Sequence, residues 1–152
     1  MARWMPLVFL LCLLTVPVWG GERPETFSDE VDADLYDCIL LLHPAKDIQN
    51  GNVRVTLESG VGRTELRVDV TRQIITLDAF NGKSTVRCGQ ASSGVMPGEP
   101  YHLTIQRRSS SIVLLHDDTI ILRAETPHLP GATATISTGT GWRIGEARVQ
   151  RL

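Results

Sequence analysis

In 53–59 (VRVTLES) apolar and polar residues alternate: Val53, Val55 and Leu57 with Arg54 and Thr56. The same period returns in 64–70 (TELRVDV), where Leu66, Val68 and Val70 alternate with Arg67 and Asp69. Successive side chains on a strand point to opposite faces, so this pattern specifies half-buried antiparallel strands with one dry and one wet side. Short runs of the same kind fill the rest of the chain: 35–42 (LYDCILLL), 73–79 (QIITLDA), 84–88 (STVRC), 101–108 (YHLTIQRR), 112–116 (IVLLH), 119–125 (TIILRAE), 132–137 (ATATIS) and 143–152 (RIGEARVQRL). Turn residues separate them. These are His43-Pro44, Asn50-Gly51-Asn52, Phe80-Asn81-Gly82, the serines 109–111, Asp117-Asp118, 126–131 (TPHLPG) and 138–141 (TGTG), with 89–100 reading as loop. Helix signals are nearly absent. Strands at this spacing predict an all-β fold, an antiparallel sandwich or barrel. Asp117-Asp118 between two β-branched runs predicts a tight hairpin, although Asp-Gly suits the positive-φ positions better.

The first residues obey a different rule. Arg3 precedes 7–19 (LVFLLCLLTVPVW), an apolar run of about thirteen residues where a membrane-spanning helix needs roughly twenty. The run reads as the apolar core of a signal peptide, with Gly20 and Gly21 supplying small residues for cleavage. Cys12 is followed by more leucines, which argues against a lipoprotein cysteine. The division expected is a signal peptide over 1–20, an acidic arm over 21–34 and a sandwich over 35–152. The arm holds Glu22, Glu25, Asp29, Glu30, Asp32 and Asp34 against Arg23 alone, and reads as a solvated, partly disordered segment. Asp29, Asp32 and Asp34 lack the spacing and the glycine of a calcium loop. The expected address is outside the cytoplasm, periplasmic or secreted, with no membrane contact after cleavage. A formal net charge of −2 predicts no nucleic-acid affinity.

Once Cys12 leaves with the signal, Cys38 and Cys88 remain as an even pair in an oxidising compartment. A bridge would close a loop of about fifty residues, worth on the order of 4 kcal/mol. The other reading is two buried free thiols on separate strands, and the sequence leaves both open.

The strand order of 89–152 resembles the closing half of a concanavalin A-like, or laminin-G-like, jelly roll. The residues that carry it are Tyr101, His102, Leu103, Thr104 and Ile105; the hairpin 112–121 around Asp117-Asp118; the strand 131–138; and the last strand, 142–149. The strands between Val53 and Leu77 fit the same plan. Among relatives of this kind are sugar-related domains of bacterial secreted proteins, including the 3-keto-disaccharide hydrolase-like group. The resemblance implies a carbohydrate-related ligand. It also implies a longer domain, so part of the front sheet is expected to be missing, as in a reduced domain or a fragment. An incomplete sandwich leaves an open sheet edge, which invites self-association. Asp118 stands where the family usually has Gly.

Chemistry is hard to find in these residues. His43, His102, His116 and His128 lie in no catalytic motif, and no Gly-x-Ser-x-Gly is present. Gly60-Val61-Gly62-Arg63 reads as a hairpin turn, because a phosphate loop needs a following helix. Three adjacent residues, His116-Asp117-Asp118, seldom converge on one metal ion. Glycoside hydrolysis needs paired carboxylates. The laminarinase type of this fold carries Glu-x-Asp-x-x-Glu on one strand; Glu30-Val31-Asp32 begins that pattern, but Leu35 replaces the second Glu. Asp69, Asp78, Asp117, Asp118 and Glu125 supply further carboxylates without a pairing rule. Of the aromatics Phe27, Tyr36, Phe80, Tyr101 and Trp142, the strand residues Tyr36, Tyr101 and Trp142 read as core.

The balance falls toward a non-catalytic binding or interaction module, with no cofactor and no metal. Its expected partner is a carbohydrate or another extracytoplasmic protein. The alternatives are a reduced glycoside-processing domain and a structural fragment of a larger secreted protein. The candidate ligand residues are Arg107 and Arg108 beside the serine turn, which suit an acidic glycan or a carboxylate, together with Asp117, Asp118 and Trp142.

Overall fold

The computed structural model of the chain describes residues 25–31, 35–129 and 131–152. The signal-peptide reading of 1–20 lies outside the described residues. Eleven strands and no helix are found among those described. One sheet holds six strands: β1 (Thr26–Val31), β3 (Asn52–Ser59), β4 (Gly62–Asp69), β5 (Ile74–Phe80), β6 (Thr85–Ser92) and β10 (Ala132–Thr138). The other holds five: β2 (Leu35–Pro44), β7 (Tyr101–Arg108), β8 (Ser111–His116), β9 (Thr119–Glu125) and β11 (Trp142–Arg151). Their spatial orders are β1-β10-β3-β4-β5-β6 and β11-β2-β7-β8-β9, antiparallel throughout. Two antiparallel sheets stacked in this way form a jelly-roll sandwich.

The alternation seen in the sequence is the burial pattern of the sandwich. Val53, Val55, Leu57, Leu66 and Val68 all point inward and are buried. They meet Leu40, Leu42, Leu103, Ile105 and Leu114 from the facing sheet in one continuous core. Each such side chain contributes about 1.5–3 kcal/mol on burial, which fixes the register because a one-residue slip would turn a whole row outward. The Asp117-Asp118 hairpin forms as expected between β8 and β9. Both residues take positive φ, 47° and 62°, as a primed two-residue turn requires.

One expectation changes. Residues 26–31, read as part of a solvated arm, form strand β1 along the edge of the six-stranded sheet. Acidic side chains do not prevent this, because the strand is held by its backbone and by Glu25, which leads into it. The Thr138 amide donates to the Glu25 carbonyl at 3.0 Å, the Glu25 amide donates to Thr138 Oγ1 at 3.0 Å, and the Glu25 carboxylate accepts from the Ile144 amide. Phe27 packs against the core. Among the described residues six strands face five.

The two cysteines are free. Cys38 is on β2, beside the β11 edge of its sheet; Cys88 is on β6, the opposite edge of the other sheet. Placement on opposed sheets and opposite flanks keeps them apart. Burial pushes the Cys38 thiol up to about 12, helped by the charges of Asp37 and Asp29. Burial also raises Cys88, which donates to the Val86 carbonyl at 3.7 Å.

Candidate functional site

The wet side of the alternation becomes a polar face on the six-stranded sheet. Because β3, β4, β5 and β6 follow one another as a meander, their outward side chains line up in rows. One row runs Arg54, Arg67, Thr76, Gln90; the next runs Thr56, Glu65, Asp78, Arg87; the last runs Glu58, Arg63, Phe80, Thr85. The β5–β6 register shifts by one residue between Leu77 and Asp78. That bulge puts Arg87 and Gln90, three residues apart, on the same outer face. Gly89 lies between them and faces inward, where a Cβ would meet Leu122 Cδ1 at 2.9 Å.

Charges on this face are paired across strands. Arg54 sits directly opposite Arg67, which would be unfavourable alone. Arg54 turns instead to Glu65, Nε to Oε1 at 3.2 Å. Arg67 is satisfied by Asn52, whose amide, placed oxygen-inward, accepts from Arg67 Nε at 3.1 Å and from Nη2. Arg87 grips Asp78 with two donors, Nε to Oδ1 and Nη2 to Oδ2 at 3.4 Å, and gives a third to Gln90 Oε1 at 3.1 Å. The carboxylates of Glu65 and Asp78 are mostly covered, whereas the arginine side chains over them are half exposed. The result is a strip of fixed acceptors beside fixed planar donors. A ligand hydroxyl donates and accepts at once, so such neighbours suit polyhydroxylated molecules. Glu65 and Asp78 are cross-strand partners, but each is already engaged by its own arginine.

At one end of the face, the Arg63 guanidinium lies 4.1 Å above the Phe80 ring. Beside it opens a pocket of about 480 Å³ bordered by Glu58, Arg63, Phe80, Lys83 and Thr85. A second opening, of about 390 Å³, lies between the sheets and is lined by Val86, Cys88, Thr126 and Pro127. No cluster of three His, Cys, Asp or Glu side chains suited to a metal is found among the described residues.

The five ligand candidates from the sequence do not converge. Arg107 and Arg108 end β7, whereas Asp117, Asp118 and Trp142 lie toward its beginning. Arg107 is buried, and its guanidinium donates to Thr126 Oγ1 and to the Pro127 carbonyl. The signal was available: Tyr101, Leu103 and Ile105 point inward, so the same period carries Arg107 inward too. Arg108 is half exposed but paired with Asp37 at 2.8 Å and with the Tyr36 carbonyl at 3.1 Å. Asp117 and Asp118 form an exposed hairpin tip, with Asp117 Oδ2 3.4 Å from His116 Nε2. Trp142 is buried, donates Nε1–H to the Gly51 carbonyl at 3.4 Å and offers no face to a sugar. The sequence reading did not single out the outward rows on β3 to β6. Their wet side was legible, but the register and the bulge that assemble them were not.

No protein-family model matches this chain, and no curated protein matches it. Solved structures do. The galectin LEC-6 of Caenorhabditis elegans superposes with a TM-score of 0.71 at 11% identity, over 87% of this chain and 94% of that one. Sheep galectin-11, solved in complex with glycerol, gives 0.66 at 10% identity, over 84% of this chain and 97% of that one. The carbohydrate-binding module CBM66 of Bacillus subtilis gives 0.63 at 10% identity, over 84% and 81%. What these likenesses establish at such identity is the architecture, a jelly-roll β-sandwich of the kind seen in galectins.

Proposed function

We propose that this chain is an exported, non-catalytic carbohydrate-binding module whose ligand lies across β3 to β6 on the outer face of the six-stranded sheet. The observation that carries the reading is the cross-strand array Arg54–Glu65, Arg87–Asp78–Gln90 and Arg67–Asn52. Its donors and acceptors are already fixed by one another, so a sugar meets them without ordering flexible side chains. The carbohydrate-binding module and the galectins reported above share this architecture, which supports the same assignment. Export rests on the leader-like residues 1–20 alone. The narrower kinship with 3-keto-disaccharide hydrolase-like domains rests on the strand motifs of 53–152. A second copy pairing along the open β6 or β9 edge belongs to the same proposal, and light scattering tests it.

The test is a glycan array probed with the purified protein and with an Arg67→Ala variant. Binding that falls at least tenfold in the variant is expected. Failure to bind any sugar sinks the reading. Turnover of a chromogenic disaccharide that is lost on Glu65→Gln or Asp78→Asn overturns its non-catalytic part.

A further inference from the structure

We infer that the pocket beside Arg63 and Lys83 seats a single anionic group of the glycan, a uronate carboxylate or a sulfate ester; this rests on the carbohydrate-binding reading above. Arg54, Arg67 and Arg87 on the same face each spend their donors on a neighbouring carboxylate or amide. Arg63 does not. Its guanidinium rests on the Phe80 ring, its Nε is buried with no hydrogen-bond partner, and it pairs with no carboxylate among the described residues. Stacking on an aromatic face holds the guanidinium plane without consuming its N–H donors. A carboxylate or sulfate is the group that matches such a fork.

Lys83 is brought to the same pocket by a turn that is itself held in place. Asn81 Oδ1 accepts from the amides of Lys83 and Ser84, both at 3.0 Å, and from Ser84 Oγ at 3.4 Å. On the other side the start of β4 must be glycine, because a Cβ on Gly62 would stand 2.8 Å from the Phe80 carbonyl. The backbone of β4 thus lies close against the end of β5 beneath Arg63. Two cations, Arg63 and Lys83, therefore border the pocket with one carboxylate, Glu58. Glu58 faces Arg63 across the β3–β4 pair. One net positive charge admits one anion, and Glu58 repels a second while accepting from a hydroxyl. Arg63 and Glu65 both point outward from β4, about 6.6 Å apart along the strand. That is roughly the length of one monosaccharide, so the pocket is the next position for a chain lying on the paired rows.

The experiment titrates the purified protein at low salt with oligosaccharides of one backbone in neutral, uronate-bearing and sulfated forms. An acidic form is expected to bind at least tenfold more tightly than the neutral one, and the two acidic arms tell carboxylate from sulfate. Lys83→Gln, on its exposed turn, should remove that preference and leave neutral binding in place, and Arg63→Gln should remove the preference as well. Raised salt should erode the preference as well. Equal binding of neutral and acidic forms overturns the inference while leaving the carbohydrate reading intact. Inorganic sulfate, followed at the Arg63 Nε–H resonance, separates the remaining outcomes. A saturable shift with no sugar bound overturns the carbohydrate reading and leaves the anion seat standing. No shift and no sugar binding overturns both.

Discussion

Trp142 meets Tyr101 edge to face, with ring centroids 6.2 Å apart and planes inclined at 68°. The pair closes one end of the core, where β11 begins beside the end of β2 and β7 begins on its other flank. Tyr101 adds a hydrogen bond from its hydroxyl to the Ser93 carbonyl at 2.5 Å. Removing the indole leaves a cavity and takes one of two donors from the Gly51 carbonyl, the Asn52 amide remaining at 3.3 Å. Trp142→Ala should therefore cost about 3–5 kcal/mol, read as a drop in the urea midpoint. Trp142→Phe should cost less and leave glycan binding unchanged. Loss of binding in a well-folded Trp142→Phe protein would restore Trp142 to the ligand site.

The hairpin tip predicts the opposite sign. Asp118 occupies a left-handed position, φ 62°, that glycine tolerates without steric cost. Asp118→Gly should raise stability by up to about 1 kcal/mol, the steric cost of a left-handed L-residue less the extra chain entropy of glycine. Thermal unfolding checks it, and a lower midpoint would contradict the turn assignment.

Alkali should destabilise the fold. Cys38 is protonated in the native state, and its value is raised from 9.0 to about 12. Burial raises Tyr36 and Tyr101 in the same direction. A raised acid contributes stability that is complete below its unfolded value and disappears as pH climbs through its folded one. For Cys38 the window is pH 9 to 12, and the loss is on the order of 4 kcal/mol. Urea midpoints should fall across that window, and fall less in Cys38→Ala. A thiol reagent should label Cys88 in the folded protein and Cys38 only on unfolding. An oxidised, bridged mass would refute the separation of the two thiols.

Stability and binding should part company at Glu65. Its pair with Arg54 is at the surface, where such pairs contribute at most about 1 kcal/mol. Glu65→Gln should leave the unfolding midpoint nearly unmoved and weaken glycan binding at least tenfold. Equal binding by both proteins would move the ligand off these rows.

Much of the fold was legible because period two is a direct trace of burial. Val53, Val55 and Leu57 declared their face by alternation alone, and Asp117-Asp118 declared its turn. Strand β1 was hidden because its place is set by backbone pairing to β10, a partner more than a hundred residues away. The candidate site was hidden for a related reason. Arg87 and Gln90 share a face only through a bulge, and a bulge is a property of two strands together. Arg107, buried against Thr126 and Pro127, is a different case. Its position in the alternation marked it as inward, but its chemistry suggested water.

The two strands nearest the N-terminus have a kinetic consequence. β1 pairs with β10, and β2 sits between β7 and β11. The hairpins β3–β6 and β7–β9 can form from neighbouring residues as soon as they exist. Neither sheet reaches its final order until the last two strands arrive, and contacts of such long sequence separation are slow to form. While the chain waits, the apolar side of β2, including Leu40 and Leu42, has only β7 beside it, and the two half-built sheets expose their inner faces. Folding of a chain with this strand order is therefore limited by its two longest-range pairings, β1 with β10 and β2 with β11.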